Sequence, residues 1–161
     1  MAQLQVGDIA PGFELMADDE STVRLSDLRG KTVVLLFYPM DFSSVCTAEH
    51  CAFGGGLPTI TGGRDDVEVF GVNCDHPFSH AAFKKQNDIP YKLLSDTSRD
   101  MVKAYGMFAG EKPFNCASRG TVVIGPTGKV AAVEPVEILA ERKIEQLAAM
   151  VAASATEASS E

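Results

Sequence analysis

Apolar residues fall along this chain in short unbroken runs separated by more polar, helix-spaced stretches. That is the pattern of doubly buried strands alternating with helices. Thr32 to Tyr38 is the strongest run and reads as a central strand. Val67 to Asn73 is a second, ending at Cys74-Asp75. Phe13 to Leu15, Val23 to Leu25 and Tyr91 to Leu94 read as shorter strands. Thr121 to Ile124 and Val130 to Glu134 flank Gly125-Pro126-Thr127-Gly128, which predicts a hairpin. Helices are predicted from Cys46 to about Phe53, from Pro77 to Asn87 and from Ser98 to Tyr105. An amphipathic terminal helix is predicted from Ile138 to Ala153, with Ile138, Leu139, Leu147 and Met150 on its apolar side and Arg142 and Lys143 among its polar residues. Gly54-Gly55-Gly56 and Pro58 should break the first helix, since each glycine costs a helix interior about 1 kcal/mol. The small, acidic residues 154–161 read as a frayed tail. Two strand–helix units, a hairpin and a last helix predict one α/β domain over residues 1–153, with helices on both faces of the sheet.

Composition narrows the function classes. With 161 residues, 45% hydrophobic and 22% charged, the chain can bury a core as a single globular unit. A formal charge of −8 argues against nucleic acid or an anionic membrane as partner. No apolar run approaches the roughly 20 residues a membrane span needs, and Met1 to Gln5 lack the basic and apolar segments of a secretory signal. Four cysteines are too few for a disulfide scaffold and suit a reduced, cytoplasmic protein.

The densest chemistry lies in Pro39-Met40-Asp41-Phe42-Ser43-Ser44-Val45-Cys46-Thr47-Ala48-Glu49-His50-Cys51, directly after the strongest strand. Either Ser43 or Ser44 as helix cap puts Cys46 in the first turn, where free amides and the helix dipole favour a thiolate. An isolated cysteine is ordinarily an inert hydrophobe; this setting is different. Cys46/His50 and His76/His80 have the i, i+4 spacing of metal ligands, but a structural zinc site takes four ligands and surface histidines share that spacing. No metal or other cofactor is expected. A thiol–disulfide oxidoreductase is disfavoured because no Cys-x-x-Cys is present.

Pro39-x3-Ser43-x2-Cys46 resembles the peroxiredoxin signature of proline, threonine and peroxidatic cysteine. The resemblance extends from Val6-Gly7-Asp8-x-Ala10-Pro11-x-Phe13 through Phe37-Tyr38-Pro39, Val45-Cys46-Thr47-x-Glu49, Gly71-Val72-Asn73 and Leu93-Leu94-Ser95-Asp96 to Arg119-Gly120-Thr121-Val122-Val123-Ile124. Within the family the chain looks closest to the Q-type, bacterioferritin-comigratory group and its one-cysteine relatives. The resemblance implies a thioredoxin-like fold with a central mixed β-sheet. It also implies cofactor-free reduction of hydrogen peroxide or alkyl hydroperoxides, with thioredoxin, glutaredoxin or a similar dithiol as reductant. Carried over residue by residue, it makes Cys46 the nucleophile and Arg119 the partner that favours its thiolate and binds the peroxide. Pro39 becomes the shield of the sulfur, and Ser43 a hydroxyl partner in place of threonine. Glu49 would orient Arg119, Val45 would flank the sulfur, and Phe42, Phe53 and Phe114 would supply an apolar rim unless they belong to the core. Glu49 also has the simpler reading of a carboxylate favoured near a helix N-terminus. A homodimer built around the active-site loop and helix is compatible with the family.

Attack on peroxide leaves Cys46 as a sulfenic acid that a second thiol must resolve or an external thiol must reduce. Cys51 stands where many Q-type members place the resolving cysteine. In an intact helix, however, residues five apart rise about 7.5 Å and diverge by about 140°, whereas a disulfide needs Cα atoms within about 7 Å. That bond would require the helix to unwind, and the three glycines would ease it. Cys74 is the alternative resolver, and a one-cysteine cycle a third reading. Cys116, three residues before Arg119, is close enough in the chain to approach the site, but its simpler reading is a loop thiol without catalytic importance. A redox sensor or holdase using the same cysteines differs from a peroxidase in not turning over.

Overall fold

Every residue of β3 (Thr32–Phe37) is buried, and the strand occupies the middle of the sheet. It pairs in parallel with β4 (Val67–Asn73) and antiparallel with β6 (Arg119–Ile124). The computed structural model describes residues 3–159, with side chains through residue 154. It shows a seven-stranded mixed sheet ordered β2-β1-β5-β4-β3-β6-β7, where β1 is Glu14–Ala17, β2 Thr22–Arg24, β5 Lys92–Ser95 and β7 Val130–Val136. The helices are α1 (Ser44–Gly55), α2 (Leu57–Thr61), α3 (Pro77–Asn87), α4 (Asp100–Ala104) and α5 (Ile144–Ser159).

The alternation of β3 divides the core in two, because successive side chains leave a strand on opposite faces. Val33, Leu35 and Phe37 pack with Val72, Val122, Ile124 and with Met101 and Val102 of α4. Val34 and Leu36, joined by Tyr38, pack on the other face with Phe53 of α1, Ile60 of α2, Phe83 of α3 and Leu147 and Val151 of α5. Four of the five helices therefore share one face.

Three helix expectations change in the structure. Helix α1 passes through Gly54 and Gly55 and ends at its cap Gly56, so only the last of the three glycines interrupts it. Their small size admits neighbours: a Cβ on Gly54 would stand 3.0 Å from the Pro90 ring, and one on Gly56 2.5 Å from Ile144. Packing against α1 offsets their poor helix propensity. Pro58 opens the new helix α2 in its first turn, where a missing amide is tolerated. The short fourth helix begins only at Asp100, after Arg99 in a left-handed conformation (φ 69°), and Asp96 accepts the Val102 amide at 2.8 Å.

The terminal helix starts at Ile144 rather than Ile138 and runs past Ala153 to Ser159. Residues 137–143 form a non-helical strap, because the Ile138 carbonyl and the Arg142 side chain are engaged across the sheet. Met1, Ala2, Ser160 and Glu161 lie outside the described residues, and with them the outermost parts of the N-terminal segment and the acidic tail.

His50 of α1 lies inside the second core, its Nδ1 bonded to the Tyr91 hydroxyl and its ring 4.2 Å from that of Tyr38. Burial, then the charges of Arg142 and Arg119, holds its pKa well below the ordinary 6.5. The unfolded chain takes up this proton as pH falls below that value while the folded chain does not, so stability from His50 is lost on acidification. Urea unfolding of His50→Gln across about pH 5 to 7 should give a shallower pH slope than the parent; identical slopes would remove His50 from the linkage.

Candidate active site

The chain leaves β3 at Phe37 and turns through Tyr38 to Phe42, where φ reaches 68°, before Ser43 in extended conformation precedes α1. Cys46 is the third helical residue and fully buried. The first intrahelical bond is Thr47 N–H to the Ser43 carbonyl at 2.9 Å, so the amides of Ser44, Val45 and Cys46 have no carbonyl within the helix. Ser43 occupies the cap position without capping through its side chain. Its hydroxyl donates to the Met40 carbonyl at 3.1 Å, which leaves the oxygen lone pairs free to accept.

A buried polar network fixes this turn from behind. Asp41 accepts from the Tyr38 hydroxyl at 2.6 Å, the Asn73 amide at 3.2 Å and the Ser79 hydroxyl at 2.8 Å. His80 Nδ1 lies 2.7 Å from the same carboxylate, and the Asp41 amide donates to Asp75 at 2.8 Å. The ends of β3 and β4 and the start of α3 thus hold one loop.

Arg119 opens β6, one position outside the pairing of Gly120 with Phe37, and therefore stands over the end of β3. Its Nη2 donates to the Cys46 sulfur at 3.2 Å, its Nε to the Ile138 carbonyl at 3.0 Å, and its Nη1 to Glu49. Glu49 follows Cys46 by three residues, a spacing that puts both on one helix face. Its second partner is Arg142, whose amide and Nε reach one carboxylate oxygen at 2.7 and 2.9 Å and whose Nη2 reaches the other at 3.0 Å. Arg142 Nη1 also donates to the Gly120 carbonyl at 2.6 Å and to Thr121 at 3.1 Å. None of the three charged side chains is more than 2% exposed. Such burial is tolerable only when each charge is paired and hydrogen-bonded. The triad carries two positive charges and one negative, with the sulfur as its fourth member.

A cavity of about 390 Å³ opens beside this cluster, walled by Pro39, Ser43, Val45 and Arg119 and rimmed by Phe114 and Leu139. Phe114 is thus a rim residue as expected. Phe42 is not: it is half exposed and packs edge-on against Phe83, 5.2 Å between ring centres, and does not line the cavity. Phe53 is fully buried in the core. Glu49 lies beyond the first turn and is wholly buried between two guanidinium groups, so a dipole-favoured surface carboxylate does not describe it.

All four cysteines are free, but they lie in different settings. Cys51 is exposed on α1, its thiol facing the Asn87 side-chain oxygen at 3.4 Å, and the intact helix keeps it from Cys46. Cys74 belongs to the core on the other face of the sheet, where burial, then Asp96, pushes its thiol up to about 11. Cys116 is not a peripheral loop thiol: it is buried and forms part of the cavity wall. His50 and His80 are likewise buried rather than superficial, each in its own hydrogen-bonded setting. Among the described residues, no group of three or more His, Cys, Asp or Glu side chains is arranged to hold a metal ion.

Sequence reasoning missed the role of Arg142, because amphipathic spacing put it on a helix surface. It also missed Asp41 and His80, whose meeting depends on the packing of α3 against the loop and leaves no local signal.

Residues 6–133 match the AhpC/TSA family. The chain is 32% identical to peroxiredoxin Bcp of Bacillus subtilis over 131 residues, covering 79% of this chain and 82% of that protein. It is 33% identical to the chloroplastic peroxiredoxin Q of Populus jackii over 148 residues, covering 90% and 67%. The solved structure of a reduced 2-Cys peroxiredoxin from Plasmodium vivax superimposes with a TM-score of 0.84 at 28% identity, covering 96% of this chain and 83% of that one.

Glu49→Gln takes from two buried guanidinium groups the carboxylate they share and should cost about 3–5 kcal/mol of stability in urea unfolding. A loss below about 1 kcal/mol, the scale of an exposed pair, would mean that water reaches the triad freely.

Proposed function

The chain belongs to the AhpC/TSA family and is a thiol-dependent peroxidase of the peroxiredoxin type, and on that premise we propose that Cys46 is the sulfur that attacks the peroxide. The Cys46 thiolate forms a bond to one peroxide oxygen as the O–O bond breaks. The other oxygen leaves as hydroxide or alkoxide and takes up a proton, giving water or an alcohol, while Cys46 becomes a sulfenic acid. The observation that carries this reading is the Arg119 guanidinium 3.2 Å from a buried sulfur at a helix N-terminus.

Each neighbour then has a task. An anionic sulfur balances the surplus positive charge of the Arg119–Glu49–Arg142 triad. Arg119 also presents donors where charge develops on the departing oxygen, in a site already desolvated. Ser43, its own proton committed to Met40, accepts a hydrogen bond from the peroxide hydroxyl. Pro39 and Val45 hold bulk water off the sulfur. Glu49 and Arg142 are positioning residues that keep Arg119 aimed at Cys46.

Peroxides are the substrates and thiols the reductants. The apolar rim and the cavity of about 390 Å³ favour alkyl hydroperoxides alongside hydrogen peroxide. The cycle closes with a small dithiol protein such as thioredoxin or glutaredoxin as reductant. Four free thiols suit the reducing cytoplasm, and no described helix is long and apolar enough to cross a membrane.

Cys46→Ser should abolish peroxide turnover in a coupled thiol assay. Arg119→Ala should lower the second-order rate constant for peroxide about 10²–10³-fold, the scale of removing one preorganised donor from developing charge. Full activity in the Cys46 variant would sink the assignment, and unchanged stopped-flow kinetics would remove Arg119 from the site.

A further inference from the structure

Once oxidised, Cys46 needs a thiol, and Cys116 lines the cavity that opens beside it. Cys116 lies in a wall whose other members include Ser43, Ser44 and Val45, the three residues leading directly into Cys46, and Arg119, which is bonded to the Cys46 sulfur. Cys51 stands on the solvent side of α1, a helix packed by Pro90 against Gly54 and by Ile144 against Gly56. Reaching Cys46 from there means unwinding that helix, because five helical residues separate the two Cα atoms by more than a disulfide spans. Cys74 faces the core on the other side of the sheet.

From this placement, and resting on Cys46 as the peroxidatic sulfur, we propose that Cys116 is the resolving thiol. The Cys116 sulfur attacks the sulfur of the Cys46 sulfenic acid; the S–S bond forms as the S–O bond breaks. The hydroxyl leaves and, with the Cys116 proton, becomes water. The external dithiol then reduces the Cys46–Cys116 disulfide by exchange and is itself oxidised.

The surroundings of Cys116 favour this order of events. Burial, then the charges of Asp75 and Cys46, pushes its thiol up, and Arg99 opposes them. Before peroxide arrives, Cys116 is therefore kept protonated and unreactive toward it. Conversion of Cys46 to a neutral sulfenic acid removes one of the charges opposing Cys116 ionisation, so oxidation of the first sulfur readies the second. The Cys116 backbone meanwhile stays tied, its carbonyl accepting the Ala109 amide at 2.9 Å beside the Phe108–Ala117 bridge.

The test is intact mass and cysteine-peptide mapping after one equivalent of hydrogen peroxide on the parent chain and on Cys51→Ser, Cys74→Ser and Cys116→Ser. Cys116→Ala serves as a second replacement should the serine disturb the buried site. Loss of two hydrogens is expected in the first three, with Cys46 joined to Cys116. In the Cys116 variants one oxygen should be gained instead, trapped by dimedone at Cys46. A two-hydrogen loss that persists without Cys116, or that vanishes with Cys51 or Cys74, overturns the proposal. So does a sulfenic acid at Cys46 that forms no disulfide in the parent. These outcomes leave the peroxidase reading standing, whereas Cys46 that gains no oxygen in any chain would overturn that reading itself.

Discussion

The site depends on one buried carboxylate. Glu49 receives Arg119 on one oxygen and Arg142 on both, and through these contacts it ties α1, the start of β6 and the strap before α5 to a single point. A charge in that position is expensive unless its partners are complete, and here each oxygen is met. The rigidity that results is what directs the Arg119 guanidinium at sulfur rather than into water. Arg119 also holds the Ile138 carbonyl, so the same interaction shapes the cavity rim.

A second constraint comes from behind the active-site turn. Asp41 gathers donors from Tyr38, Asn73 and Ser79 and contacts His80, which ties the turn to the ends of two central strands and to α3. With the loop anchored on that side and the triad on the other, Cys46 is confined between them. Its sulfur is fully buried, beside a cavity whose wall is mostly apolar. Solvent is kept from the sulfur, and the positive charges near it sit on Arg119 and Arg142. The His50 imidazole on α1 is held neutral by burial and by those arginines.

The glycines of α1 show how a local reading can invert. By propensity alone, Gly54, Gly55 and Gly56 mark a weak point. In the fold, two of them are the places where Pro90 and Ile144 press against the helix, so that an added Cβ would force its neighbour to shift. What reads as softness in isolation acts as a packing surface, and this shifts the search for a second thiol from the helix to the cavity wall.

The sequence by itself determined most of the elements and singled out Cys46. The unbroken apolar runs of β3 and β4 could only be doubly buried strands, and α3 was legible to its ends from Pro77 and its spacing. The strand-to-helix turn put Cys46 among free amides, and the motif around it named Arg119 as its partner. These are local properties, set by backbone geometry and by residues close in the chain. Tertiary structure decided the rest. Arg142 lies 93 positions from Glu49 and His80 39 from Asp41, and no periodicity links residues so far apart. The terminal helix lost its first six expected residues, 138–143, because the Arg142 side chain is engaged by a buried carboxylate, whereas the strap's backbone groups can find hydrogen bonds in water. Phe42 and Phe114, equivalent by composition, were separated because one packs on Phe83 while the other faces the cavity. Cys51 and Cys116 were likewise placed by the fold, one exposed on α1 and the other buried in the cavity wall, because proximity along a helix is fixed by its rise and turn, whereas a cavity wall exists only once the sheet has brought β3 and β6 together.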